Sequence, residues 1–164
     1  MKNIPYIESF LRAAEKYWPN ETATDRDFFL WFVAQAEAES NFDPKAISRA
    51  GACGIMQIMP RTWREIRLYL PHLKADILDP DSNIEAGVWY DRFCYDRFKM
   101  LPDGEDRLLI AFASYNCGPS RILRLIAEHK ATTYAQLEQH IPYKETVDYV
   151  RRIVRFRKEM MDGR

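Results

Sequence analysis

FFLWFVAQAEAESNFDPKAISRAGACGIMQIMP, residues 28–60, is the stretch on which the reading of this chain turns. Its apolar residues recur at helical spacing through Ala36. Three carboxylates, Glu37, Glu39 and Asp43, then fall within seven positions, and a run rich in Gly and Met follows. On a helical wheel at about 100° per residue, Phe28, Phe29 and Ala36 gather on the side of Phe32. Glu39 falls about 20° from Phe32, in the apolar stripe, because seven residues are almost two full turns. Glu37 falls on the opposite, polar face and reads as a solvated charge. A carboxylate at the end of a buried stripe is costly unless protonated or paired. Desolvation raises its pKa, which is what a general acid at neutral pH requires. The wheel fits equally well a Glu39 that only marks where the stripe meets solvent. Asp43, before Pro44, reads on local grounds as a turn residue.

Outward from this stretch the pattern stays helical and strand-like alternation is almost absent. A helix is expected over about Pro5–Tyr17, with WPNETATD as a connection. Thr24 and Asp27 read as a capping box that starts a long helix through Phe28 to about Glu39. Short helices are expected around Gly54–Ile58 and Arg61–Leu70. Asp79–Asn83 launches another that runs to about Met100. Further helices are expected from LPDGED through Tyr115, over Arg121–Glu128, and over about Lys144–Met161. The fold class is therefore all-α, about eight helices, in a single domain over residues 1–164.

Composition narrows the function classes. The chain is 47% hydrophobic and 29% charged, with Lys plus Arg equal to Asp plus Glu at 24 each. That balance gives no sign of a nucleic-acid partner. Five basic residues, Arg151, Arg152, Arg155, Arg157 and Lys158, sit within eight positions near the end. A solvated helix face is the favoured reading; weak attraction to an anionic envelope is the other. No apolar run approaches a membrane span, and Pro5, Glu8 and Arg12 interrupt any signal-peptide core at the start. Three cysteines and three histidines at unrelated spacings suggest neither a disulfide framework nor a metal site, and no cofactor is expected.

The residues around Glu39 carry a resemblance. Glu39-Ser40-x-Phe42-x-Pro44-x-Ala46-x-Ser48-x-x-Gly51-Ala52-x-Gly54-Ile55-Met56-Gln57-x-Met59-Pro60-x-Thr62 resembles the first signature of the soluble lytic transglycosylases, related to goose-type lysozyme in glycoside hydrolase family 23. Three more blocks follow in the family's order. They are Asp79-Pro80 with Asn83-Ile84 and Gly87; Ala113-x-Tyr115-Asn116-x-Gly118-Pro119; and Pro142-Tyr143-x-Glu145-Thr146-x-x-Tyr149-Val150. Together they span about Phe28 to Val154.

The resemblance implies a lysozyme-like α fold and peptidoglycan glycan strands as substrate. Glu39 would be the sole acid. It would protonate the oxygen of the bond between N-acetylmuramic acid and N-acetylglucosamine, then take the proton of the muramyl 6-hydroxyl as a 1,6-anhydro ring closes. Two-carboxylate glycosidases need a second acid at a defined distance, and the blocks supply none beside Glu39 unless Asp43 folds back. Ser48, Gln57, Met59, Tyr115, Asn116 and Glu145 match family positions along the sugar-binding cleft. All but Gln57 have a plain structural reading as well: a loop hydrogen bond for Ser48, packing for Met59, a helix C-terminus for Tyr115 and Asn116, a capping role for Glu145. Cys53 and Cys117 depart from the family pattern; filler is favoured over a redox pair. Trp63 and Asp91 depart too, without touching the catalytic logic.

The resulting expectation is a monomeric peptidoglycan lytic transglycosylase that needs no metal. Made in the cytoplasm without a signal, it would reach the wall through a holin or inside a virion, as a phage lysis protein does. The rivals are a muramidase of the same fold that uses water, with Asp43 or Glu145 as second acid, and a non-enzymatic wall-binding or scaffold protein.

Overall fold

The structure, a computed structural model, describes residues 4–163. Met1 to Asn3 and Arg164, the ends of the expected 1–164 domain, lie outside the described residues. Nine helices and no strands occur among the described residues, one helix more than expected. They are α1 Ile7–Tyr17, α2 Pro19–Thr24, α3 Leu30–Ser40, α4 Pro60–Tyr69, α5 Pro80–Asp96, α6 Glu105–Cys117, α7 Pro119–His129, α8 Tyr134–Glu138 and α9 Lys144–Asp162.

Local chemistry explains where the elements differ from expectation. The segment expected as a connection forms α2, because Pro19 sits at the first helical position, where its missing N–H costs nothing. Thr24 therefore ends a helix instead of starting one, and its hydroxyl donates to the Asn20 and Glu21 carbonyls. The turn into α3 is capped by Asp25, whose carboxylate accepts the Asp27 N–H at 2.9 Å. Gly54–Gln57 is a turn, not a helix, closed by reciprocal backbone bonds between Cys53 and Ile58. The additional α8 is capped by Thr133, which accepts the Gln136 N–H.

The chain forms two compact units. The first runs through Trp89 and resumes at Ile153; the second is Tyr90–Arg152. In the first unit α3 is the central element. Every residue from Leu30 to Ala36 is buried, Gln35 included, and Trp18, Phe28 and Phe32 meet at ring separations of 5.3 to 5.7 Å. In the second unit α6 is the covered helix, buried from Ile110 to Ser114. Buried Arg107 ties its first turn to the end of α5. The guanidinium donates to the Tyr95 carbonyl at 2.9 Å and lies 4.0 Å from the Tyr95 ring centre.

The basic stretch on α9 is largely engaged by the protein itself. Arg151 pairs with Glu138 at 2.9 Å, Arg155 with Glu159 at 3.7 Å, and Arg157 with Asp25 at 3.3 Å. Arg157 also lies 4.3 Å above the Trp31 ring. Three of the five basic groups thus have carboxylate partners, which favours a structural, solvated face over attraction to an anionic surface.

Glu85 on α5 gathers three donors on one oxygen: Tyr17 at 2.6 Å, and Lys16 and His72 at 2.8 Å each. Burial opposes its ionisation, but the bonds from Lys16, Tyr17 and His72 outweigh this and hold the carboxyl below its ordinary value. A lowered folded pKa gives stability that is complete above the unfolded value of 4.5 and is lost as pH falls through the folded one. Thermal melts between about pH 7 and about pH 3 are expected to show a steeper acid loss for the wild type than for Glu85→Gln. Parallel curves would remove Glu85 from the account. Tyr17 acts at the other end of the scale. Burial, then Glu85, pushes its phenol upward, so its share of stability is lost as pH rises past the unfolded value of 10.0.

Candidate active site

Glu39 lies in the last turn of α3 and is half-buried. Its neighbour Ser40 ends the helix and donates from Oγ to the Ile55 carbonyl at 2.8 Å, which draws the loop of residues 46–58 back onto the helix end. The chain leaves the helix through Asn41 (φ 52) and Phe42 (φ 63). Two left-handed residues in succession, one of them bulky, constitute backbone strain of the kind that clusters at functional sites.

The loop is held by an internal network. Gly54 N–H donates to the Ala46 carbonyl at 2.8 Å, and Ser48 N–H to the Ala52 carbonyl at 2.9 Å. Gln57 (φ 48) spends its amide on the loop, donating from Nε2 to Gly54 at 2.9 Å and to Ala46 at 3.2 Å. Ser48 Oγ accepts the Ala52 N–H at 3.0 Å, which leaves its proton available to donate. Met59 is 41% exposed, whereas Met56 is fully buried and packs. Cys53 is buried with its thiol against the Gly51 carbonyl, a filler's place.

Behind the loop stands Asn83 on α5, also fully buried. It accepts the Met56 N–H at 2.7 Å and donates to the Cys53 carbonyl at 3.1 Å and the Ile77 carbonyl at 2.8 Å. Two glycines make room for this lock. A Cβ on Gly54 would stand 2.6 Å from the Asn83 amide, and one on Gly87 would stand 2.7 Å from the Met56 side chain. Sequence reading placed Asn83 in a family block and in the turn signal that launches α5, but gave it no buried role.

Glu37 was expected to be solvated, and it is half-buried, like Glu39. Because α3 is enclosed on all sides up to Ala36, the wheel of an amphipathic surface helix does not separate the two carboxylates. Asp43 is exposed and accepts the Lys45 N–H at 2.9 Å, as its turn reading requires. Trp63 is buried and packs.

The remaining expected residues lie in the second unit. Tyr115 and Asn116 occupy the last turn of α6, both half-buried. The Tyr115 ring meets Tyr90 edge-on at 5.3 Å, and Tyr90 stacks on Phe93 at 5.7 Å. Asn116 Oδ1 accepts the hydroxyl proton of buried Thr146 at 2.7 Å, which fixes the amide and turns its NH2 away from Thr146. Glu145, in the first turn of α9, is exposed. Burial pushes the Cys117 thiol up despite the hydrogen bond with Thr146, so it is a poor nucleophile at neutral pH. Replacing Thr146 with Val deletes the donor at constant shape. It is expected to cost about 1 kcal/mol and lower Tm by about 3 °C, while Thr146→Ser stays near the wild type. Calorimetry decides it.

Comparisons with known proteins define the class first. Over 94% of its length the chain superimposes on an inactive glutamate-to-glutamine variant of the lytic transglycosylase Slt from Pseudomonas aeruginosa, with TM-score 0.78 and 25% identity, covering 23% of that chain. The 70 kDa soluble lytic transglycosylase from Escherichia coli superimposes over 94%, with TM-score 0.73 and 26% identity, covering 24% of that chain. The fold is thus the lysozyme-like all-α fold of the SLT lytic transglycosylases. In sequence, the chain is 32% identical over 129 residues to the soluble lytic murein transglycosylase of Salmonella typhimurium, covering 76% of this chain and 19% of that protein. It is 40% identical over 100 residues to membrane-bound lytic murein transglycosylase F of Desulfosudis oleivorans, covering 60% of this chain and 21% of that protein. Residues 20–137 match the transglycosylase SLT domain, and the chain belongs to that family. It spans about a fifth of the length of these relatives. Among the described residues no helix is long and apolar enough to cross a membrane.

Proposed function

We propose that this chain is a peptidoglycan lytic transglycosylase in which Glu39 is the single acid and base. The observation that carries the reading is the built end of α3. A half-buried carboxylate stands where a strained exit and the loop of residues 46–58 meet, and that loop is fastened by Ser40, Gln57 and Asn83. A proton donor must keep its position while a glycosidic bond breaks, and a fastened backbone supplies that.

In the proposed reaction the Glu39 carboxyl gives its proton to the glycosidic oxygen as the bond to the muramyl anomeric carbon breaks. The resulting carboxylate takes the proton of the muramyl 6-hydroxyl, whose oxygen closes on that carbon. One proton leaves Glu39 and one returns, so no water enters. Ser48, Gln57, Met59, Tyr115, Asn116 and Glu145 are proposed as contacts to the glycan. Ser48 retains a hydroxyl proton to donate, Asn116 presents an oriented NH2, and Met59 offers exposed apolar surface. A phage lysis role is part of the proposal. Its test is expression with and without a holin, with lysis of the culture only when both are present.

The deciding experiment is mass spectrometry of muropeptides released from purified sacculi. Products ending in 1,6-anhydro-N-acetylmuramic acid are expected. Reducing N-acetylmuramic acid ends would mean that water is the acceptor and would assign the same fold to a muramidase.

A further inference from the structure

We propose that Tyr69, Trp89 and Glu85 form a second glycan-holding platform, on the first unit and separate from every residue assigned to the chemistry above. The glycan as occupant rests on the proposed function; the platform itself rests on geometry.

Tyr69 ends α4 and is 67% exposed. Its ring stacks on the indole of Trp89 on α5, with centroids 5.3 Å apart and planes 28° apart. Trp89 is half-buried, so it backs one face of the tyrosine ring and holds the ring as a flat surface turned to solvent. Glu85 lies four residues before Trp89, one turn away on the same helix face. The donors of Lys16, Tyr17 and His72 all reach its Oε1. A carboxylate has about four acceptor positions, and this arrangement fixes the group while capacity remains on the other oxygen. The side chain of Lys16 is 52% exposed and its ammonium keeps protons beyond the one given to Glu85, which puts a donor at the rim beside the half-exposed His72 ring.

A flat apolar ring, a fixed carboxylate and a rim ammonium match the chemistry of a pyranose. One face of the sugar is lined with C–H groups, its edge carries hydroxyls, and an N-acetylhexosamine adds an amide that both donates and accepts. Size separates this occupant from a protein. An exposed tyrosine ring offers on the order of 100 Å², enough for one sugar face, whereas a stable protein interface buries upwards of about 1,000 Å². The neighbouring exposed Leu68 does not close that gap.

A weak site on a polymeric substrate acts by holding the enzyme near fresh strands. Where the effective concentration of the tethered contact is about two to nine times the Kd of the sugar site, binding to the polymer strengthens by about threefold to tenfold. The test is co-sedimentation with purified sacculi, in a Glu39→Gln background so that the wall is not consumed. Adding Tyr69→Ala is expected to weaken binding by about threefold to tenfold, while Tyr69→Phe keeps it because stacking needs the ring and not the hydroxyl. Leu68→Ala is the control and should bind like its parent. Unchanged binding in Tyr69→Ala overturns the platform, as does an equal loss in Leu68→Ala, which would mean general apolar adhesion. A Tyr69→Ala change that abolishes self-association but leaves sacculus binding intact would also overturn it, by assigning the face to a second copy. The two proposals fail separately. Sacculi left uncut by the wild type would sink the catalytic reading, and Tyr69-dependent sedimentation would still decide the platform.

Discussion

Glu39→Gln is expected to lower the rate of glycan release from sacculi by about a thousandfold or more, with Tm within a few degrees of the wild type. The amide keeps the shape of the carboxyl and can still form hydrogen bonds. It has no acidic proton for the leaving oxygen and no basic oxygen for the 6-hydroxyl, so both halves of the cycle are lost. General acid–base catalysis contributes about 10² to 10⁴ in rate, and a single group serving both steps belongs at the upper end. Because Glu39 is half-buried in the last turn of α3, neutralising it leaves the core from Leu30 to Ala36 untouched. Glu37→Gln, two residues earlier and equally half-buried, is the matched control and should retain activity within about threefold. Comparable losses in the two variants would mean that charge at the helix end, not proton transfer at one carboxyl, is what matters. A Glu39→Gln variant with more than a tenth of wild-type activity would return the chain to the wall-binding or scaffold reading.

The contrast between these two glutamates shows what the sequence could reveal. Helical periodicity located the long elements well, since α5, α6, α7 and α9 follow from apolar spacing and from Pro and Gly at their ends. It missed α2 and α8, which have six and five residues. Elements that short make too few turns to show a period, and their stability comes from caps and packing. The wheel favoured Glu39 by assuming that α3 is a surface helix with one wet face. In the fold α3 is enclosed all round to Ala36, so burial treats Glu37 and Glu39 alike and the preference rests on the motif around Glu39. Thr24 misled for a related reason. Its spacing to Asp27 imitates a capping box, while Pro19 had already committed the preceding residues to a helix that ends at Thr24.

The supporting network was less legible than the site itself, because hydrogen bonds between distant residues leave no period. The bond of Asn116 to Thr146 spans 30 positions and that of Met56 to Asn83 spans 27. The composition of each block hinted that something polar was required there, but nothing local named its partner. Glu85 gave no signal at all, being a charged residue on a helix whose donors come from α1 and from the loop after α4.

Asn83→Ala is expected to be the most damaging substitution outside the chemistry, costing about 3–5 kcal/mol and lowering Tm by about 10 °C. The side chain is fully buried and satisfies three backbone groups at once, the Met56 N–H and the Cys53 and Ile77 carbonyls. Alanine leaves all three without a partner away from water, at about 1–3 kcal/mol for each group that is not rescued. Aspartate should be no better. Its second oxygen would face the Cys53 and Ile77 carbonyls where the amide now donates, replacing two hydrogen bonds by repulsion in a place that cannot solvate the charge. Only a side chain with one acceptor and two donors on the same planar group fits, which is why an amide stands there. The loss should be local before it is global, since Asn83 fastens the loop that Ser40 also ties to the end of α3. Amide exchange at Met56 is therefore expected to accelerate more than exchange in the core of α3. Equal acceleration at both would show that Asn83 supports the unit as a whole and not the loop. Gly87→Ala offers an independent test of the same lock, because its Cβ would strike Met56 at 2.7 Å from the other side. If the two substitutions disrupt one interlocked structure, their combined cost will fall short of the sum of the single costs, the mark of residues that act through a shared contact.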